Sequence, residues 1–208
     1  MKLKLRNRVS DNPAPPITSN GKMIKECFIT TGATAIFTEL IQAALSPECL
    51  QTFVDNGFTR LNFQCGESMS AFEELKPTDT RGLDINGFAF NKNGLTKEMR
   101  ACQEKKGVST RGLVICHAGA GTILDAMRLA VPLVVVPNSS LLDNHQEELA
   151  AELETQGYAT KADTRNLAEA IAKACKKEEK AWGGHNTSFA AIVDNVVGYE
   201  DDVRAQLD

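Results

Sequence analysis

Chemistry in this chain can be carried by two glycine-rich turns and one polar cluster. The sharper turn is His117-Ala118-Gly119-Ala120-Gly121-Thr122. Its small residues leave the backbone open, so a diphosphate can approach the N–H groups that begin a helix, and Thr122 can cap that helix or donate to a phosphate oxygen. No Lys or Arg lies in the turn, so charge compensation falls to the helix dipole and to any residue folded in from elsewhere. Asp125 lies one helical turn beyond Thr122, where a carboxylate can accept from a ribose diol or merely complement the helix N-terminus. The other turn, Thr30-Thr31-Gly32-Ala33-Thr34, offers hydroxyls around one glycine. Turns of that composition are common, and it is neither a Walker lysine loop nor a GxGxxG fingerprint. The polar cluster Asp143-Asn144-His145-Gln146 gathers donors and acceptors suited to sugar hydroxyls, with an ordinary helix cap as its bland alternative.

These groups are placed by alternating elements. KECFIT reads as a strand ending at the first turn, followed by a helix with Ile36, Phe37, Leu40, Ile41 and Ala44 inward. LNFQCG (61–66) and LDINGFAF (83–90) read as further strands, the second stopped at Asn93-Gly94 before a charged helix near 96–105. GLVICHAG (112–119) has the continuous apolar character of a strand buried on both faces, and TILDAMRLA (122–130) is a helix with Ile123, Ala126, Met127 and Ala130 on one stripe. PLVVVPN (132–138), a helix from about 144 to 153, a short strand near 158–161 and a helix carrying Leu167, Ala170, Ile171, Ala174 and Cys175 complete the pattern. The expected fold is α/β, a parallel sheet with helices on both faces and ligands at the carboxyl ends of its strands.

Composition excludes several classes. Over 208 residues, 23 Lys+Arg against 27 Asp+Glu give a net charge of -4, which argues against a nucleic-acid surface. The chain is 42% hydrophobic and 24% charged, a globular balance, and contains no apolar run of membrane-spanning length. Its basic start has no apolar signal core, so the expected location is cytoplasmic. The six cysteines form no CxxC or other metal spacing, Cys27, Cys65 and Cys116 lie in apolar segments as small hydrophobes, and no metal-ligand set is apparent. Residues 1–22, with Pro13, Pro15 and Pro16, read as a flexible extension, 23–180 as the domain, and 181–208 as a linker and terminal helix. In that helix Phe189, Ile192, Val193, Val196 and Val197 form an apolar stripe, packed on the domain itself or docked to a partner.

ITTGAT (29–34), NGF (86–88), CHAGAGTILDAMRLAVPLVVVPN (116–138) and LLDNHQEELAAELETQGY (141–158) together resemble the C-terminal, donor-binding half of the family 28 glycosyltransferases, over roughly 25–197. The resemblance implies one Rossmann-like lobe of a two-lobed GT-B enzyme. Within the family it points to the two-component transferases that add the second sugar to the dolichol-linked oligosaccharide of protein N-glycosylation. It implies a UDP site lined by Thr31, Gly32, Thr34, His117, Gly119, Ala120, Gly121 and Thr122. Asp125 stands where a bacterial murein transferase has a ribose-binding glutamate, and His145 and Gln146 stand at a glutamine pair on the donor sugar, with Asn144 beside them. The implied reaction is inverting β-1,4 transfer of N-acetylglucosamine from UDP-N-acetylglucosamine to N-acetylglucosaminyl-diphosphodolichol, without metal or other cofactor and with His117 as a candidate base. A two-lobed enzyme needs roughly twice this length. The acceptor lobe must then belong to a membrane-anchored partner, a heterodimer holding this chain at the cytosolic face of the endoplasmic reticulum. A non-catalytic nucleotide-sugar sensor or scaffold, and an independent epimerase of similar design, are the competing readings.

Overall fold

The computed structural model describes residues 23–33, 35–140 and 145–177. The expected N-terminal extension, the C-terminal stripe, Thr34 and Asn144 lie outside them. Six parallel strands, β1 (Glu26–Thr30), β2 (Arg60–Gln64), β3 (Asp84–Phe88), β4 (Leu113–Cys116), β5 (Leu133–Val135) and β6 (Thr160–Lys161), form one sheet. Their order is β3-β2-β1-β4-β5-β6. The chain therefore runs outward in opposite directions from the β1/β4 pair, and the turns after those strands diverge to leave a crevice at the carboxyl edge.

Alternation along the central strands sorts the core into two layers. Cys27, Ile29, Leu113, Ile115 and Val134 face α1 (Thr38–Ala44), α2 (Pro47–Asp55), α3 (Met69–Leu75) and α7 (Leu167–Lys176). Phe28, Val114, Cys116, Leu133 and Val135 face α4 (Thr96–Ala101), α5 (Ala120–Arg128) and α6 (His145–Thr155). All four residues of β4 are buried, as a strand covered on both faces requires. Cys27, Cys49, Cys65, Cys102 and Cys116 are buried free thiols, and burial pushes the Cys65 thiol up to about 12.

Several local expectations change. The helix α2 is additional: Pro47 occupies its first turn and the Ser46 hydroxyl accepts from Cys49 N–H at 3.2 Å, an N-cap signal legible in Ser-Pro. Ile36 precedes α1 and is 63% exposed instead of inward. The helix α5 starts at Ala120 with Gly119 as N-cap, which places Thr122 inside the first turn and not at the cap. It ends at Arg128, so Ala130, at φ 50°, leaves the apolar stripe and is exposed. The charged helix near 96–105 stops at Ala101. No helix among the described residues is long and apolar enough to cross a membrane.

Candidate functional site

The two central turns meet around one imidazole. The His117 N–H donates to the Thr30 carbonyl at 3.2 Å, bringing the β4–α5 turn against the end of β1. The side chain then lies between two glycines. A Cβ on Gly32, whose φ is +87°, would fall 2.9 Å from His117 Nε2, and a Cβ on Gly119 would fall 2.4 Å from the same atom. Both positions must lack a side chain to admit the ring. Burial lowers the His117 pKa below its ordinary 6.5, and the Thr30 backbone only partly opposes this, so the ring is neutral at pH 7. Its Nδ1 is buried with no hydrogen-bond partner among the described residues.

Gln64, at the end of β2 and only 2% exposed, ties three strand ends together. Its Nε2 donates to Gly32 O at 2.9 Å and Ala89 O at 3.0 Å, while Oε1 accepts from the Thr30 hydroxyl. The turns after β1 and β3 are therefore braced by one buried amide whose hydrogen-bonding capacity is used across the carboxyl edge.

A cavity of about 440 Å³ opens above these turns, walled by Gly32, His117, Gly119, Ala120, Gly121 and Thr122 on the central side. Ala33, Gln64 and the loop residues Phe90, Asn91, Lys92, Gly94 and Leu95 complete it. The first turn of α5 has no side-chain cap, and a Cβ on Gly121 would meet nothing within 4 Å. Uncapped N–H groups at the start of a helix, facing an open cavity, suit an anionic group of a ligand.

Residues 26–182 match the glycosyltransferase family 28 C-terminal domain. The chain belongs to this family. Relatives include the UDP-N-acetylglucosamine transferase subunit ALG13 of Saccharomyces cerevisiae, 32% identical across 81% of this chain and 94% of the yeast protein. The protein of the same name from Eremothecium gossypii is 34% identical across 74% of this chain and 83% of its own. An NMR solution structure of ALG13 superposes with a TM-score of 0.64 at 29% identity, covering 84% of this chain and 98% of that one. The glycotransferase of kitacinnamycin, 16% identical, shares the fold at a TM-score of 0.51 and covers 98% of this chain but only 44% of its own. The family 28 domain is thus one Rossmann-like lobe of the two-lobed GT-B architecture.

Of the residues expected at the site of this family 28 domain, Gly32, His117, Gly119, Ala120, Gly121 and Thr122 share the cavity wall. Others are placed elsewhere. Thr31 is 2% exposed, and its hydroxyl and N–H both donate to the Gln64 carbonyl, at 3.3 and 3.0 Å, so its side chain holds the turn instead of lining the cavity. Asp125 stands further along α5, half-exposed and paired with Arg128 at 3.3 Å. His145 begins α6 and is exposed, while Gln146 Oε1 accepts from Asn138 N–H at 2.9 Å. Asn138 in turn donates through Nδ2 to Ile36 O at 3.1 Å, so Asn138 braces the β5–α6 loop against the β1–α1 loop while Gln146 ties that loop to the start of α6. Gln64 and Lys92 are not among the residues expected from sequence, whereas Asn138 opens the polar turn that was expected. A glutamine within a buried strand is a signal, because its amide needs partners, and Lys92 follows a strand whose turn also opens at the carboxyl edge.

Proposed function

We propose that this chain is the donor-binding catalytic subunit of a two-component transferase that moves N-acetylglucosamine from UDP-N-acetylglucosamine to N-acetylglucosaminyl-diphosphodolichol, forming a β-1,4 linkage with inversion. The observation that carries the reading is the cavity at the β1/β4 crevice, walled by the uncapped first turn of α5. It stands in a chain that matches, over most of their lengths, fungal relatives named as subunits of a UDP-N-acetylglucosamine transferase.

In the proposed reaction the acceptor O4 attacks the anomeric carbon as its bond to the β-phosphate oxygen breaks. The bonding pair leaves with UDP, and the hydroxyl proton passes to a base. Negative charge grows on the departing diphosphate, where the N–H groups of Ala120, Gly121 and Thr122 stabilise it by being already oriented. Asp125 serves the ribose after parting from its exposed Arg128 partner, and Asn144, His145 and Gln146 serve the donor sugar, Gln146 after leaving its contact with the Asn138 N–H. A neutral imidazole can accept a proton, which keeps His117 as the base candidate on this lobe. No metal is assigned a role. The acceptor site belongs to a membrane-anchored partner, which holds this chain at the cytosolic face of the endoplasmic reticulum.

The test is transfer of labelled N-acetylglucosamine from the UDP donor to a lipid-diphosphate acceptor, with membranes carrying the partner subunit. Product is expected only when both chains are present, and with β configuration. UDP binding by this chain without any gain of transfer on adding the partner would instead establish a sensor or scaffold. Conversion of the UDP-sugar by this chain alone would establish the epimerase reading.

A further inference from the structure

The diphosphate that the proposed donor brings carries more negative charge than a helix terminus alone can balance, and the central turns contain no cation. The compensating charge comes from the β3–α4 loop. Among the thirteen residues lining the cavity, Lys92 is the one with a formal charge, and no hydrogen bond or ion pair engages it among the described residues. At the other cavity of this edge the lysine is in use, Lys161 pairing with Glu147.

The loop that carries Lys92 is braced on both sides of it. Asn91 Nδ2 donates to Glu98 Oε1 at 3.1 Å, and Asn91 Oδ1 accepts from Asn93 N–H at 3.0 Å. Gly94 N–H closes the turn onto Asn91 O at 3.2 Å, with Gly94 at φ +77°, a conformation that favours glycine. The backbone is thus pinned to α4 while the exposed Lys92 side chain, on a residue of the cavity wall, has no partner among the described residues. His117 cannot substitute for it, since burial keeps that ring uncharged at pH 7.

We propose that Lys92 is a donor-binding residue whose ammonium closes over the diphosphate of the nucleotide sugar, opposite the first turn of α5. The proposal rests on the donor-site reading above and adds a contact that neither glycine-rich turn supplies. A lysine is suited to this because its point charge on a flexible stem can follow phosphate oxygens as charge develops on them.

The experiment is calorimetric titration of the 208-residue chain and its Lys92→Gln and Lys92→Arg variants with UDP and with uridine, at low and high salt. Replacing Lys92 by Gln should weaken UDP about 10- to 100-fold, as loss of a charge-assisted contact does, while uridine binding and thermal stability stay as in the wild type. The salt dependence of UDP binding should flatten in Lys92→Gln, and Lys92→Arg should retain most of the affinity. Unchanged UDP affinity in Lys92→Gln beside normal wild-type binding overturns the role of Lys92 and leaves the donor site standing. Equal weakening of UDP and uridine also overturns it, since the loop would then act on the nucleoside. Absence of UDP binding in the wild type overturns the donor-site reading and this proposal together.

Discussion

Two of the cavities among the described residues open at the carboxyl edge of this sheet and differ in what they leave unpaired. The one at the β1/β4 crevice, about 440 Å³, is walled by an uncapped helix start, a neutral histidine and an unpaired lysine. The other, about 340 Å³, lies beyond β5 and β6 and includes Glu147, Glu154, Lys161 and Asp163 in its wall. There every charge of the wall has a partner: Glu147 holds Lys161 within it, while Glu154 pairs with Lys173 and Asp163 with Arg165, at 3.0 Å, beside it. Size and position at the strand ends are therefore poor guides taken alone. A site is prepared for a ligand when its polar groups are fixed in place but still lack partners, as at the central crevice.

The contrast should show most strongly at Gly119 and Gly121. In Gly119→Ala the new methyl meets His117 Nε2 at 2.4 Å, so the imidazole or the turn must move. We expect a loss of about 1–3 kcal/mol in stability, as for other overpacked sites, together with at least about a tenfold loss of UDP affinity. Adding His117→Ala should recover the stability, which a double-mutant cycle of thermal melts would measure. In Gly121→Ala the methyl meets nothing within 4 Å at a residue of the cavity wall and replaces a glycine inside α5, so the melt should be unchanged or slightly raised while nucleotide binding weakens. Equal destabilisation by the two substitutions would remove the distinction between a glycine that admits the histidine and one that admits the ligand.

A smaller effect separates the cavities by pH. The folded chain favours neutral His117, so as pH falls through 6.5 the unfolded chain takes up this proton first. Its contribution to stability is full above that value and is lost as pH falls toward the lower folded-state pKa. His117→Gln should therefore lose less stability than the wild type between pH 7 and pH 5 in paired denaturant titrations. Parallel curves would show that the ring is not held neutral.

The smallest effect belongs to the outer cavity. Lys161→Met should change stability by less than about 1 kcal/mol, because its partner Glu147 is half-exposed and such pairs are screened. UDP affinity should not change. A clear loss of UDP binding in this variant would mean that the outer cavity shares the nucleotide and that the comparison is wrong.

Much of this was legible along the chain. The apolar run of β4, the alternation of strands with amphipathic helices and the glycine-rich turn at 117–122 each depend on residues a few positions apart, so local steric and hydrophobic patterns specify them. Six of the expected site residues accordingly share one cavity wall. The outlier Ile36 carries the helical spacing, yet it stands before α1, where the Phe37 N–H is taken by the Ser68 hydroxyl at 3.0 Å from a distant segment. Thr31 had the chemistry of a phosphate ligand but turns inward, because the adjacent β2 offers it a carbonyl.

Short-range periodicity and small residues in a tight turn are enough to specify the parallel α/β lobe and the turn that presents helix N–H groups at its carboxyl edge. Which distant side chains complete that edge depends on how the strands are ordered. The β3-β2-β1-β4 order brings Gln64 between two turns, presses His117 against Gly32 and sets the Lys92 loop on the cavity wall. Strand order arises from burying both faces of the sheet at once, a collective property of the core, and no spacing within a single segment encodes it.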